Sequence, residues 1–291
     1  SSAVSLRAAG GIEIGEGADV TVTSYTKSGQ AVMSMYDALK IDGKLKVTMT
    51  NEAPAGSSAL YAKSYEVTGE VTVDGGTTAF YVNGGGTVVL NEAEVHVSNC
   101  TTGFQGKVDI TNSLMELSTS SRAFSTSVAA SLTDDYEVRS GASETNNQLY
   151  PVEGGSVSSS AWFGAYTKIS YAAKISLDLS DISFEDLISG YETLSAAKTI
   201  TLTNTGKMDI TDLSVALRTD GQEFFNLNTE NTATSLTVGS STSFTVQPKT
   251  GLSAGQYDAV VLVSSDGAGV AQIPVSLDVV PAKPEGVFTA S

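Results

Sequence analysis

Apolar and polar residues alternate along most of this chain, in runs too short for helices. In the first half a small residue followed by an apolar one recurs at Ala3-Val4, Ala31-Val32, Ala59-Leu60, Ala79-Phe80, Gly103-Phe104 and Ala123-Phe124, with a looser echo at Gln148-Leu149. The steps between them are 28, 28, 20, 24, 20 and 25 residues. After each pair come further alternating runs, such as Leu39-Lys40-Ile41 and Leu45-Lys46-Val47, or Val88-Val89-Leu90 and Val95-His96-Val97. Alternation with period two marks strands, and turn residues such as Asp42-Gly43, Asp74-Gly75-Gly76 and Asn83-Gly84-Gly85-Gly86 fill the joints. Three short strands every 20 to 28 residues predict a parallel β-helix, whose coils bury their apolar sides by stacking on one another. Six coils would make a rod about 30 Å long at the usual strand spacing. A sandwich of hairpins is the alternative topology.

The same alternation assigns facing. Val4, Val32, Leu60, Phe80, Phe104 and Phe124 are apolar in every coil and are placed inside. Their neighbours then point outward: Ser5, Met33, Tyr61, Tyr81, Gln105 and Ser125, followed by Arg7, Met35, Lys63, Asn83, Lys107 and Ser127.

Near residue 174 this rhythm stops and longer strands are expected, at Lys174 to Asp181, Lys198 to Asn204, Asp212 to Arg218, Thr234 to Val238, Ser240 to Lys249, Gly255 to Ser265 and Gly269 to Val280. Seven alternating strands separated by turn clusters fit an Ig-like sandwich, with Pro274 at an edge or bulge. Gly251-Leu252-Ser253-Ala254-Gly255-Gln256-Tyr257 reads as a tyrosine corner, its hydroxyl returning to backbone. The expected organisation is all-β: a parallel β-helix over 1–174, an Ig-like β-sandwich over 175–281 and a tail over 282–291.

Thr201-Leu202-Thr203-Asn204-Thr205-Gly206 followed by Pro248-Lys249-Thr250-Gly251-Leu252-Ser253-Ala254-Gly255-Gln256-Tyr257 resembles a cysteine-free Ig-like domain of cell-surface proteins of gut Gram-positive bacteria, over residues 175–280. The resemblance implies a spacer that stands between a functional head and a cell-wall anchor. The first half is similar to pectin-lyase-like β-helices in rhythm alone.

Charge narrows the partners. Thirty-two acidic residues against 16 Lys and Arg leave a net charge of −16, which disfavours nucleic acid and anionic lipid. The sequence has no run of 18 apolar residues, so no membrane insertion is expected, and any signal peptide or anchor is expected to have been removed. Ser, Thr, Gly, Ala and Val are abundant and Lys sparse, the composition of an extracellular bacterial surface protein.

Enzyme signatures are few. His96, the one histidine, sits between inward Val95 and Val97 and should point alone into solvent rather than act as a base. Cys100 and His96 lack the second pair that a zinc site needs, and Asp134-Asp135 reads as a solvated turn rather than a glycosidase pair. No catalytic, metal-binding or cofactor-binding residues are assigned. Trp162-Phe163-Gly164-Ala165-Tyr166 reads as a solenoid cap or an interdomain packing element. The candidate ligand site is the outward strip of Tyr61, Lys63, Tyr81, Asn83, Gln105 and Lys107. Aromatic side chains can stack on sugars while amides and cations bind hydroxyls and carboxylates. The plainer reading is that tyrosine is a good exposed strand residue. The expected function is a non-enzymatic, adhesive or carbohydrate-binding surface module for a polysaccharide or host-surface ligand, carboxylate-bearing if a polysaccharide. The alternatives are a β-helix polysaccharide lyase, which would recruit Lys63, Lys107, Arg122 or Arg139 as base, a hydrolase of the same fold, and a purely structural stalk.

Overall fold

The computed structural model describes residues 6–25, 29–50, 56–193, 195–266 and 269–283, with Gly269 and Val270 described in backbone only. The chain divides into two compact units, Ser1–Tyr171 and Ala172–Ser291.

The first unit is a solenoid with three sheet faces. Coil one contributes β1 (Leu6–Ala8), β2 (Ile12–Ile14) and β3 (Asp19–Ser24). Coil two contributes β4 (Gln30–Ile41), which turns the corner from the first face to the second, and β5 (Lys44–Met49); coil three repeats this with β6 (Ser58–Val67) and β7 (Glu70–Asp74). Next come β8 (Thr78–Val82), β9 (Thr87–Asn91), β10 (Glu94–Gln105), β11 (Lys107–Thr111), β12 (Leu114–Phe124) and β13 (Val128–Ser131), with β10 and β12 each carrying the chain from the third face of one coil to the first face of the next. The first face is built by β1, β4, β6, β8, β10 and β12, and every neighbouring pair in it is parallel. The second runs β2, β4, β6, β9, β11 and β13. The third runs β3, β5, β7, β10 and β12.

Alternation places the core as expected. Val32, Leu60, Phe80, Phe104 and Phe124 are buried and aligned coil on coil. Phe80 stacks on Phe104 at 4.4 Å and Phe104 on Phe124 at 5.3 Å between ring centroids. Tyr65 meets Phe80 edge-on from the second face, and its hydroxyl donates to the Tyr81 carbonyl at 2.8 Å. The corner between the second and third faces is tight enough to require glycine: a Cβ at Gly69 would lie 2.0 Å from the Gly43 carbonyl oxygen.

Two details differ from the expected repeat. Leu6, not Val4, aligns with Val32, so Arg7 stands beside Met33 in the first outward row; Val4 and Ser5 lie outside the described residues. The small-apolar pair therefore marks register from coil two to coil six and not in coil one. The Gln148-Leu149 echo is not a seventh coil. It lies in β15 (Asn146–Tyr150), which pairs antiparallel with β14 (Tyr136–Ser143); β16 (Tyr166–Tyr171) then joins β14 to β12, again antiparallel. Trp162 closes the inner stack, meeting Phe124 edge-on at 5.6 Å. β16 covers the last edge of the third face, at β12, which would otherwise offer unpaired backbone groups.

The second unit has two sheets. One is β17 (Ile175–Leu177), β20 (Lys198–Asn204), β23 (Ser241–Pro248) and β22 (Phe225–Asn228), all antiparallel. In the other, β21 (Thr211–Leu217), β24 (Gly255–Asp266) and β25 (Gly269–Val280) are antiparallel, while β18 (Ile182–Ser183) and β19 (Leu187–Ile188) add to β25 in parallel. Ile200, Leu202, Phe244 and Val246 of the first sheet share a core with Val261, Val263, Ile273 and Val275 of the second. The expected strand Lys174 to Asp181 is cut short after Leu177: Asp178 accepts the Thr201 amide, and the chain passes to the other sheet. Thr234 to Val238 makes a bridge, Ile210 to Leu236, rather than a strand. Pro274 pairs with Val260, and β18 begins opposite Val275, so the missing N–H falls where no described strand flanks β25 on that side. Tyr257 donates its hydroxyl to the Ser253 carbonyl at 2.9 Å, the corner read from the sequence.

Candidate functional site

The strands of the first face carry Arg7, Met33, Tyr61, Tyr81 and Gln105 in one outward row, in register across five coils. Ser125 continues it beside Gln105, its amide bonded to the Phe104 carbonyl. Tyr61 and Tyr81 are half-buried, with Lys63 and Gln105 exposed. The two phenol rings stack on each other, 5.1 Å between centroids and 4° from parallel. Burial, and secondarily the neighbouring Tyr81, raise the Tyr61 pKa above the ordinary value, so its hydroxyl stays a donor well into alkaline pH.

The rest of the predicted strip is gathered less tightly. Lys63 follows Tyr61 two residues on in β6, and Asn83 lies beside it, its amide bonded to the Ala62 carbonyl. Arg7 reaches back toward the second row, with Nη2 3.7 Å from the Met35 sulfur. Lys107 belongs to the second face: it opens β11 and aligns with Thr87, beyond the turn at Gly106. It therefore borders the strip and does not share its row. Arg7, shifted into the first row by the register, and Lys107, which lies on the second face, are the residues that the sequence pattern misplaced.

Charge is sorted by face. Among the described residues, the outward rows of the first face from Arg7 to Ser125 and from Met35 to Asn83 include no carboxylate; the exposed Asp37 follows Met35 two residues on, at the corner of β4. On the second face Glu13, Lys40, Glu66, Val89 and Asp109 align, and Lys40 pairs with Glu66 at 2.9 Å. On the third, Asp19, Lys44, Glu70 and Glu94 align, with Lys44 paired to Glu70 at 2.6 Å. Exposed pairs of this kind add little stability. Lys63 and Arg7 have no such carboxylate beside them in their rows.

His96 is not alone: its Nε2 lies 2.9 Å from Glu94 Oε1, and it aligns with Glu116 on the next coil. Glu116 in turn accepts the Tyr166 hydroxyl at 3.3 Å and lies 3.7 Å from the Lys168 ammonium. Burial and then the Glu116 charge push the Tyr166 phenol up to about 12, which keeps it protonated as a structural donor. Asp134 and Asp135 occupy a turn. Among the described residues no three His, Cys, Asp or Glu side chains are grouped to hold a metal ion, and no helix is long and apolar enough to cross a membrane.

No protein-family model matches the chain, and neither does any curated protein. Among solved structures it is similar to the ASH / PapD-like domain 7 of human CEP192, at 14% identity and a TM-score of 0.28, over 38% of this chain and 89% of that one. It is also similar to the secreted serine protease VesC from Vibrio cholerae, at 14% identity and TM-score 0.30, over 53% of this chain and 37% of the protease. The Vibrio cholerae VesB protease matches at 18% identity and TM-score 0.25, over 47% of this chain and 44% of that one. Likenesses this loose carry no argument about activity.

Proposed function

We propose that this chain is a non-enzymatic extracellular module of a bacterial surface, whose solenoid binds a polysaccharide along its first face. The observation that carries this reading is the sorting of charge. On a chain of net charge −16, the described positions of the strip that joins stacked tyrosines to Arg7, Lys63, Asn83 and Gln105 carry no carboxylate. A long flat strip suits an extended polymer better than a small molecule, which binds in an enclosed cleft. In this reading the second unit is an Ig-like sandwich serving as a spacer, supported by its two-sheet core and the Tyr257 corner.

The test is a glycan array probed with the whole chain, followed by titration of the glycans that bind. Tyr61→Ala/Tyr81→Ala should weaken binding by about 5- to 100-fold, the loss typical of central aromatic contacts. Incubation with the bound polymer should release neither unsaturated uronide nor new reducing ends; release of either would replace this reading with a lyase or hydrolase.

A further inference from the structure

Aromatic side chains commonly take sugars on their faces, where the ring's negative quadrupole meets C–H groups. Tyr61 and Tyr81 do not offer those faces freely. Each turns one face to the other, at 5.1 Å and 4°. In register, Met33 stands beside the far side of Tyr61 and Gln105 beside the far side of Tyr81. The ladder therefore presents ring edges and phenol hydroxyls outward, one per coil, between Arg7 at one end of the row and Gln105 at the other.

Resting on the first face as the binding face, we infer that the strip holds a linear, carboxylate-bearing polysaccharide edge-on, with the polymer running along the solenoid axis. The Tyr61 and Tyr81 hydroxyls and the Asn83 and Gln105 amides bond sugar hydroxyls, while Arg7 and Lys63 meet carboxylates. Charge complementarity selects the occupant. Among the described residues the rows that hold Arg7 and Lys63 carry no acid, the exposed Asp37 standing at the corner of β4 beyond Met35, whereas Lys40 and Lys44 on the other faces are engaged by Glu66 and Glu70. A neutral glycan would leave Arg7 and Lys63 without counterparts.

Edge-on and face-on binding separate in a conservative variant. Tyr61→Phe/Tyr81→Phe keeps the ring stack and removes only the hydroxyls, so the fold should be unaffected. The probes are polygalacturonate oligomers, the same oligomers methyl-esterified, and alginate, each titrated against the whole chain and its variants. The Phe double variant should bind an acidic probe about tenfold more weakly, close to the Ala double variant, because two donors are lost. Esterification should cost about tenfold or more, and Arg7→Gln/Lys63→Gln should remove most of the salt dependence. Wild-type affinity in the Phe variant with loss in the Ala variant would overturn the edge-on mode and leave the binding face standing. Wild-type affinity in both would overturn the face itself. Equal affinity for esterified and free polymer, or binding to neither acidic probe, would overturn the carboxylate assignment.

Discussion

At the level of single residues, alternation alone separates Phe80, Phe104 and Phe124, buried at 0%, 0% and 4% exposure, from Tyr81, Gln105 and Ser125, one step along the chain. Period two assigns a side to every residue of a strand, and a core without polar partners can accept only the apolar set. What alternation cannot supply is the neighbour across the coil. The Tyr61–Tyr81 stack and the place of Arg7 depend on the register between coils. Phe104 has aromatic rings on both sides. Phe104→Ala should therefore cost about 3–5 kcal/mol, because the rigid coils above and below cannot collapse into the space. Urea unfolding of the variant measures this. A loss below about 1 kcal/mol would mean that the stack relaxes freely.

At the level of elements, a strand's hydrophobic pattern is the same whether its partner runs parallel or antiparallel, so the Gln148-Leu149 run reads as another coil. The difference lies in the connection: β14 and β15 are joined by a short polar turn that cannot span a crossover. The antiparallel end has a consequence for solubility, since β16 covers the last open edge of β12. Lys168 lies in the middle of β16, with its side chain at the surface near Glu116. Lys168→Pro should remove a ladder donor, loosen β16 and free the β12 edge for pairing with a second chain. Size-exclusion chromatography over a concentration series should show concentration-dependent association of the variant and a single species for the wild type. The second unit carries a different kind of signal. Its recognisable motifs are places where backbone needs a specific side chain: Asn204 is fully buried, donates to the Met208 and Leu236 carbonyls and accepts the Gly206 amide. A Cβ at Gly206 would lie 2.5 Å from the Ala172 carbonyl oxygen. Its short strands β18, β19 and β22 carry too few residues for a periodic signal.

At the level of the whole molecule, stability should fail on the alkaline side before the acid side. Burial pushes the Cys100 thiol from its ordinary 9 up to about 12, helped by the nearby Asp74 charge, and Tyr166 likewise stands at about 12 against an ordinary 10. Tyr65, fully buried, is raised well above its ordinary value by the same desolvation. Each group holds its proton in the folded chain at pH values where the unfolded chain has released it. Between about pH 9 and 12 the unfolded state therefore binds fewer protons, and stability falls as pH rises through that window. Below pH 9 both states are protonated at these sites, and their contribution is complete. Moving from neutral pH toward the isoelectric point near 4.3 instead reduces the net charge of −16 and the self-repulsion that goes with it. Urea midpoints should thus hold or rise from pH 7 to 5.5 and drop steeply from pH 9 to 11. In Cys100→Ala the first part of that drop, just above pH 9, should be shallower, while the later part set by the tyrosines persists. A midpoint independent of pH between 9 and 11 would show that these buried groups ionise without opening the solenoid.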